Sequence, residues 1–179
     1  EPVRSLCFDI ETHSPDGSFP FGEKYPVVAI GIVTSTGERE VFLWDGESDE
    51  KVLKDFAVFI QEYDPDIIYG YNLIGYDIPQ ILHRASFHGM RNYKKLLNRD
   101  GSNYGWAQPK ESKDLRMKVG GRIIFDVLRY TRRDYALSGM SRGLKAVSRH
   151  FGLTPIELDF SENDLLDYSL SEIHDYVLS

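Results

Sequence analysis

Apolar and polar residues alternate through Ser5–Thr12, with Leu6, Phe8 and Ile10 interleaved with Cys7, Asp9 and Glu11. A period of two predicts a strand with one buried face and both acids on the other. A Pro/Gly-rich connection, Ser14 to Tyr25, leads into the nearly continuous apolar run Val27–Val33, and the Thr36-Gly37 turn sends the chain back through Glu38 to Trp44. Three strands joined in this way predict an antiparallel meander. The period then changes: Val52, Phe56, Phe59 and Ile60 recur at helical spacing, Ser48 and Asp49 are candidate caps, and Pro65 stops the helix after Tyr63. Ile67 to Tyr71 reads as a short buried strand, and Pro79 suits the first turn of a helix that Asp77 can cap. A further strand is predicted over Arg122–Asp126 and a helix around Leu144, Val147 and Phe151, ended by Gly152. One or two helices follow in Ser161–Ser179, with Leu170, Ile173, Val177 and Leu178 as apolar positions. Strands alternating with helices predict an α/β fold.

Length and composition narrow the reading. With 179 residues, 41% of them hydrophobic, the chain reads as a single domain over 1–179 with a substantial core. The Gly-, Asn- and charge-rich stretch 98–113 is read as an exposed loop or hairpin insertion. The chain opens on Glu1 and enters a strand almost at once, which suggests a piece excised from something longer. No apolar run approaches the length of a membrane span, so no membrane partner is expected. The single cysteine, Cys7, has no disulfide partner and excludes a multi-thiolate zinc site, in keeping with a reducing, cytoplasmic setting. A net charge of −7 argues against broad duplex binding through a basic face. Carboxylates that hold divalent cations reverse the local sign, however, so a phosphate substrate can still enter an acidic domain.

With 28 acids in the chain, about four acid-x-acid triplets arise by chance, and Glu38/Glu40 and Asp64/Asp66 are of that kind. Asp9/Glu11 differs in ending an apolar strand and being followed by the small polar Thr12. Two carboxylates held on one strand face repel each other, so the pair belongs either at a solvated rim or around a metal. Six cations between Arg129 and Arg149, with Tyr130 and Tyr135 among them, read as a solvated helix face or a phosphate contact. The five histidines form no close ligand pair and are given no catalytic role. No phosphate-cradling glycine loop or nucleophile context is present.

Phe8-Asp9-Ile10-Glu11-Thr12, Tyr71-Asn72-Leu73-Ile74-Gly75-Tyr76-Asp77 and Gly121-Arg122-Ile123-Ile124-Phe125-Asp126 together resemble the proofreading 3′-5′ exonuclease domain of family B DNA polymerases, archaeal members in particular, within the DEDD exonucleases. The resemblance implies a ribonuclease-H-like fold: a mixed sheet with an antiparallel three-strand meander and helices on its faces. It implies hydrolysis of single-stranded 3′ DNA ends with two Mg²⁺ or Mn²⁺ ions held by Asp9, Glu11 and Asp77. By the same resemblance Tyr176 orients the attacking water, and Thr12, Asn72 and Tyr76 contact the terminal nucleotide. The implied partners are the 3′ end of DNA and the polymerase domain of the same parent chain. The family's third motif, Tyr-x-x-x-Asp, aligns with Tyr176, which puts its aspartate immediately after Ser179; Tyr168 with Glu172 is a rival register. A catalytically silent structural or docking module is the alternative function, and a stand-alone oligoribonuclease-like nuclease is a third.

Overall fold

The computed structural model describes residues 2–103, 105, 106, 117, 119–159 and 165–179. Strands β1 (Ser5–Thr12), β2 (Val27–Thr34), β3 (Arg39–Leu43), β4 (Ile67–Gly70) and β5 (Ile123–Asp126) form one sheet in the order β3-β2-β1-β4-β5. The first three pair antiparallel as the predicted meander, and β4 joins β1, and β5 joins β4, in parallel. The helices are α1 (Glu50–Tyr63), α2 (Asp77–Phe87), α3 (Tyr93–Leu97), α4 (Val127–Arg133), α5 (Leu144–His150) and α6 (Leu170–Val177). The short α3 and α4 have no clear periodicity and go beyond the elements read from the sequence. The mixed sheet flanked by helices agrees with the expected α/β, ribonuclease-H-like architecture.

The alternation in β1 sorts its two faces. Leu6, Phe8 and Ile10 are buried in the main core with α1 and α2, where Phe8 meets Phe56 at a ring separation of 4.9 Å. Cys7, Asp9 and Glu11 face the other way, toward a smaller cluster that includes Ala29, Leu165, Ile173 and Val177. Asp9 lies opposite Gly31 in the β1–β2 register. A Cβ on Gly31 would stand 2.2 Å from Val177 Cγ1 and 2.9 Å from the Val177 carbonyl oxygen, so the missing side chain is what lets α6 lie against the sheet beside Asp9. Gly31→Ala is therefore expected to destabilise the domain by about 1–3 kcal/mol, because a backbone carbonyl cannot rotate aside. Urea unfolding checks this, and an unchanged midpoint would mean that α6 can shift without loss.

Several local expectations are corrected by tertiary contacts. Asp49 sits at the N-cap of α1 but makes no side-chain cap bond. Its fully buried carboxylate accepts from Arg84 Nε (2.8 Å) and Nη2 (2.7 Å) and from the Val27 N–H (2.8 Å), and lies 2.6 Å from His88 Nε2. Asp77 is the first residue of α2 rather than its cap. In the stretch read as an exposed insertion, Asn98 and Trp106 are buried, because Trp106 Nε1 donates to Asn98 Oδ1 at 2.5 Å and the indole joins the main core. Tyr104 and residues 107–113 of that stretch lie outside the described residues, as do 160–164 near the predicted terminal helices. Leu170, read as one of the apolar positions of the terminal helices, is 59% exposed at the start of α6, while Ile173 and Val177 carry its buried face.

Among the described residues, no helix is long and apolar enough to cross a membrane.

Candidate active site

β1 and β4 run parallel side by side, so the end of β1 and the loop after β4 emerge at the same edge of the sheet. That loop turns sharply. Asn72 adopts φ +66°, and its carbonyl accepts from the N–H groups of Gly75 and Tyr76, both at 2.9 Å. The buried carboxylate of Asp126, at the end of β5, accepts from the Asn72, Ile74 and Leu128 N–H groups, each at 3.1 Å. One acid thus anchors the turn that delivers Tyr76 and Asp77, and the sequence reading did not assign it this role. Its signal was slight: an acid at a strand end.

The Asp9 and Asp77 carboxyl groups face each other closely enough for each to act on the ionisation of the other. Burial raises Asp9 to about 6, and burial followed by the neighbouring Asp9 charge holds Asp77 well above the usual carboxylate range. Glu11 is raised to about 8 by burial and then by Asp9, with Lys145 pulling it back. Asp9 and Glu11, with Gly31, Lys145, Tyr176 and Ser179, line a cavity of about 240 Å³ between the sheet, α5 and the end of α6; Asp77 is not among its lining residues. Burial and then Glu11 and Asp9 push the Tyr176 phenol up, so it stays protonated. Cys7 on the same wall is raised to about 12 by burial and the neighbouring acids, and remains a thiol.

Among the remaining expected residues, Thr12 and Tyr76 come together. The Tyr76 hydroxyl donates to the Pro20 carbonyl at 2.9 Å, so at the 2.7 Å contact with Thr12 Oγ1 the threonine is the donor. The Tyr76 ring lies beside Phe19 and Phe21, and Gln80 pins that connection through Gly22 and Tyr25. Asn72 is half-buried in its turn. Of the two register candidates on α6, Tyr176 lines the cavity, whereas Glu172 closes a capping box with Ser169 and the Tyr168 hydroxyl donates to the Asp159 carbonyl.

From the basic run, Lys145 reaches the cavity, while Arg132, Arg133 and Arg149 are exposed and Arg149 pairs with Glu157. Reading charge alone could not separate them. The helical spacing of Lys145 and Ser148, which both line the cavity, was the available signal.

Among the described residues no three His, Cys, Asp or Glu side chains form a ready metal cluster as placed. The donor chemistry nevertheless suits a hard divalent cation: oxygen ligands, mutually repelling and short of compensating charge. The strain also has a pH signature. A carboxyl group whose folded pKa is raised contributes stability that is fully present below its ordinary value and is lost as pH rises to the folded one. With Asp9 raised from 3.8 to about 6, Glu11 from 4.5 to about 8 and Asp77 well above its ordinary value, stability in a chelator is expected to fall as pH rises from about 4 to about 8. Urea unfolding in EDTA across that range tests it, and Glu11→Gln should flatten the upper part of the decline. A decline of the same steepness in that variant would remove Glu11 as its cause.

Residues 37–147 match the family described as DNA polymerase family B, exonuclease domain. DNA polymerase delta catalytic subunits are similar over 84% of the chain: 33% identity for that of Glycine max and 35% for that of Caenorhabditis elegans. The chain spans 16% of the length of these relatives. The solved family B DNA polymerase from the hyperthermophilic archaeon Pyrobaculum calidifontis superposes with a TM-score of 0.77 at 30% identity, over 99% of this chain and 23% of that one.

Proposed function

The chain belongs to the exonuclease-domain family of family B DNA polymerases, and from that premise we propose that it removes nucleotides from single-stranded 3′ DNA ends as the editing domain of a longer polymerase. The observation that carries this reading is the meeting of Asp9 and Asp77, buried carboxyl groups from separate elements that act on each other's ionisation, beside Glu11 and Tyr176. A structural domain gains nothing from burying like charges together, whereas a divalent-cation site requires it.

Asp9, Glu11 and Asp77 would hold two Mg²⁺ or Mn²⁺ ions, which when bound supply an activated water and neutralise the charge developing at phosphorus. Holding the ions requires Asp9, Glu11 and Asp77, all raised above their ordinary values, to be ionised, so ion affinity rises with pH. The Tyr176 phenol, kept protonated by its surroundings, orients the attacking water. That water's oxygen bonds to phosphorus as the bond to the preceding 3′ oxygen breaks, releasing a nucleoside 5′-monophosphate and leaving a new 3′-hydroxyl. Thr12, Asn72 and Tyr76 receive the terminal nucleotide at the neighbouring edge. In this reading the family's fourth acid follows Ser179 directly, and Ser179 already lines the cavity.

The test is digestion of a 5′-labelled strand with a mismatched 3′ end, in Mn²⁺, by this chain and by a form carrying aspartate after Ser179. Stepwise shortening, fastest with the added aspartate, is expected. A folded but inert extended form would replace the nuclease reading with that of a docking module.

A further inference from the structure

We propose that the cavity between the end of α2 and α3 is a second ligand site, one that takes a nucleoside 5′-monophosphate. Its volume is about 460 Å³, within the range of small-molecule sites and larger than the 240 Å³ beside the carboxylates. It lies at the far end of α2 from Asp77, roughly 16 Å along the helix. The inference is therefore separate from the carboxylate site and does not rest on the nuclease reading.

The lining has two halves. One is apolar: Leu82 and Ala85, neighbours on one face of α2, meet Met90 and the ring of Tyr93. The buried Tyr93 hydroxyl donates to the Leu53 carbonyl at 2.6 Å, so this residue offers the cavity only its ring. Such a floor suits a flat base, and a thioether adapts to an aromatic face. The other half is cationic, with Arg91 from the α2–α3 turn and Lys94 from α3. Asn103 Nδ2 donates to the Arg91 carbonyl at 3.5 Å and holds that rim.

Charge narrows the ligand class. None of the described lining residues is an acid, in a chain with 28 acids and a net charge of −7. Arg4, Arg84, Arg99 and Arg122 each meet an aspartate, whereas no described acid pairs with Arg91 or Lys94. Arg132 and Arg133 also lack one, but they stand exposed on α4; Arg91 and Lys94 border a concavity. Two cations there match the nearly two charges of one phosphate monoester at neutral pH, and a guanidinium meets phosphate oxygens through two parallel bonds. Ser86 adds a hydroxyl to the same wall. Free phosphate leaves the apolar floor unused and a nucleoside leaves the cations unmatched, so the ligand that fits carries both parts.

The experiment is calorimetric titration of thymidine 5′-monophosphate into this chain in EDTA at low salt. The chelator removes the ions through which the carboxylates could hold a phosphate, so the heat reports the second cavity. Arg91→Met and Lys94→Met are each expected to weaken binding about tenfold, the loss of one hydrogen bond between charged groups. Arg91 is exposed and Lys94 half-buried, so both variants should fold as the parent does, which circular dichroism checks. Lys95→Met, exposed on the same helix, and Asp9→Ala should bind as the parent does. Thymidine and inorganic phosphate should each bind at least about tenfold more weakly, and thymidine triphosphate, whose charge exceeds that of the two cations, no more tightly.

No saturable binding by the folded parent, or affinity unchanged in both cavity variants, would overturn the assignment. Inorganic phosphate binding as tightly as the nucleotide would reduce the cavity to an anion site. Loss of binding in Asp9→Ala would move the ligand to the carboxylates, and binding of an oligothymidylate but not of the mononucleotide would replace the site with a strand contact. All of these readouts are taken without cleavage, so the nuclease reading stands or falls separately on the digestion in Mn²⁺.

Discussion

Replacing Asp9 by alanine is expected to reduce 3′-end cleavage by about a thousandfold or more, on the order of losing a central transition-state contact, in the form that carries aspartate after Ser179. The same change should stabilise the metal-free domain near pH 8. Asp9 raises its neighbours Glu11 and Asp77 by like charge, and removing it relieves both groups in the pH range where they ionise. Activity and stability thus move in opposite directions, as expected where a site stores repulsion for a ligand. Melting with and without Mn²⁺ gives an independent readout. The ion should raise the melting temperature of the parent and shift that of the variant much less, since stabilisation follows affinity for the folded state. Cleavage within a few-fold of the parent, or a lower metal-free stability at pH 8, would contradict the role assigned to Asp9.

The largest loss of stability is expected from Asp49→Ala, at roughly 3–5 kcal/mol. The change strands the buried Arg84 guanidinium, which faces Asp49 through two hydrogen bonds, and removes the acceptor for the Val27 N–H. Burial alone would raise the Asp49 carboxyl, yet the bonds from Arg84, His88 and Val27 hold it below its ordinary value; the native carboxylate is therefore ionised. The pair is better described as matched than as strongly stabilising. Replacing both partners with apolar residues of similar volume should accordingly recover most of the loss. Urea unfolding of the two single variants and the double variant measures the coupling. Additive losses would show that Asp49 and Arg84 act independently. Below the melting range, cleavage should be little altered by Asp49→Ala, since Asp49 packs with α2 and the start of β2, away from the cavity-lining residues.

Much of the fold is legible along the chain because strand and helix periods are local properties. The alternation of Leu6, Phe8 and Ile10 with Cys7, Asp9 and Glu11 placed both acids on one face, and the structure buries the opposite face as that pattern requires. The meander followed from three strand-like runs joined by the Ser14–Tyr25 connection and the Thr36-Gly37 turn. What local pattern did not carry was which face α6 covers. That depends on Gly31 leaving room for Val177, a close approach between segments far apart in the chain. Lys145 was one of six cations in its stretch until packing directed it into the cavity.

Asp49 and Asp77 make the distinction clearest. Each is an aspartate at the start of a helix, each reads from sequence as a cap, and each proves to be buried without capping its helix. Their roles diverge through what lies across from them. Asp49 meets a guanidinium and becomes a structural ion pair; Asp77 meets Asp9, a second carboxyl, and is left with a like charge to confront. Sequence by itself determined that both acids would stand at helix starts and that Asp9 and Glu11 would share a strand face. Tertiary packing decided the sign of the charge each buried acid would confront: α2 brings Arg84 to Asp49, while the strand order that sets β1 beside β4 brings Asp9 to Asp77.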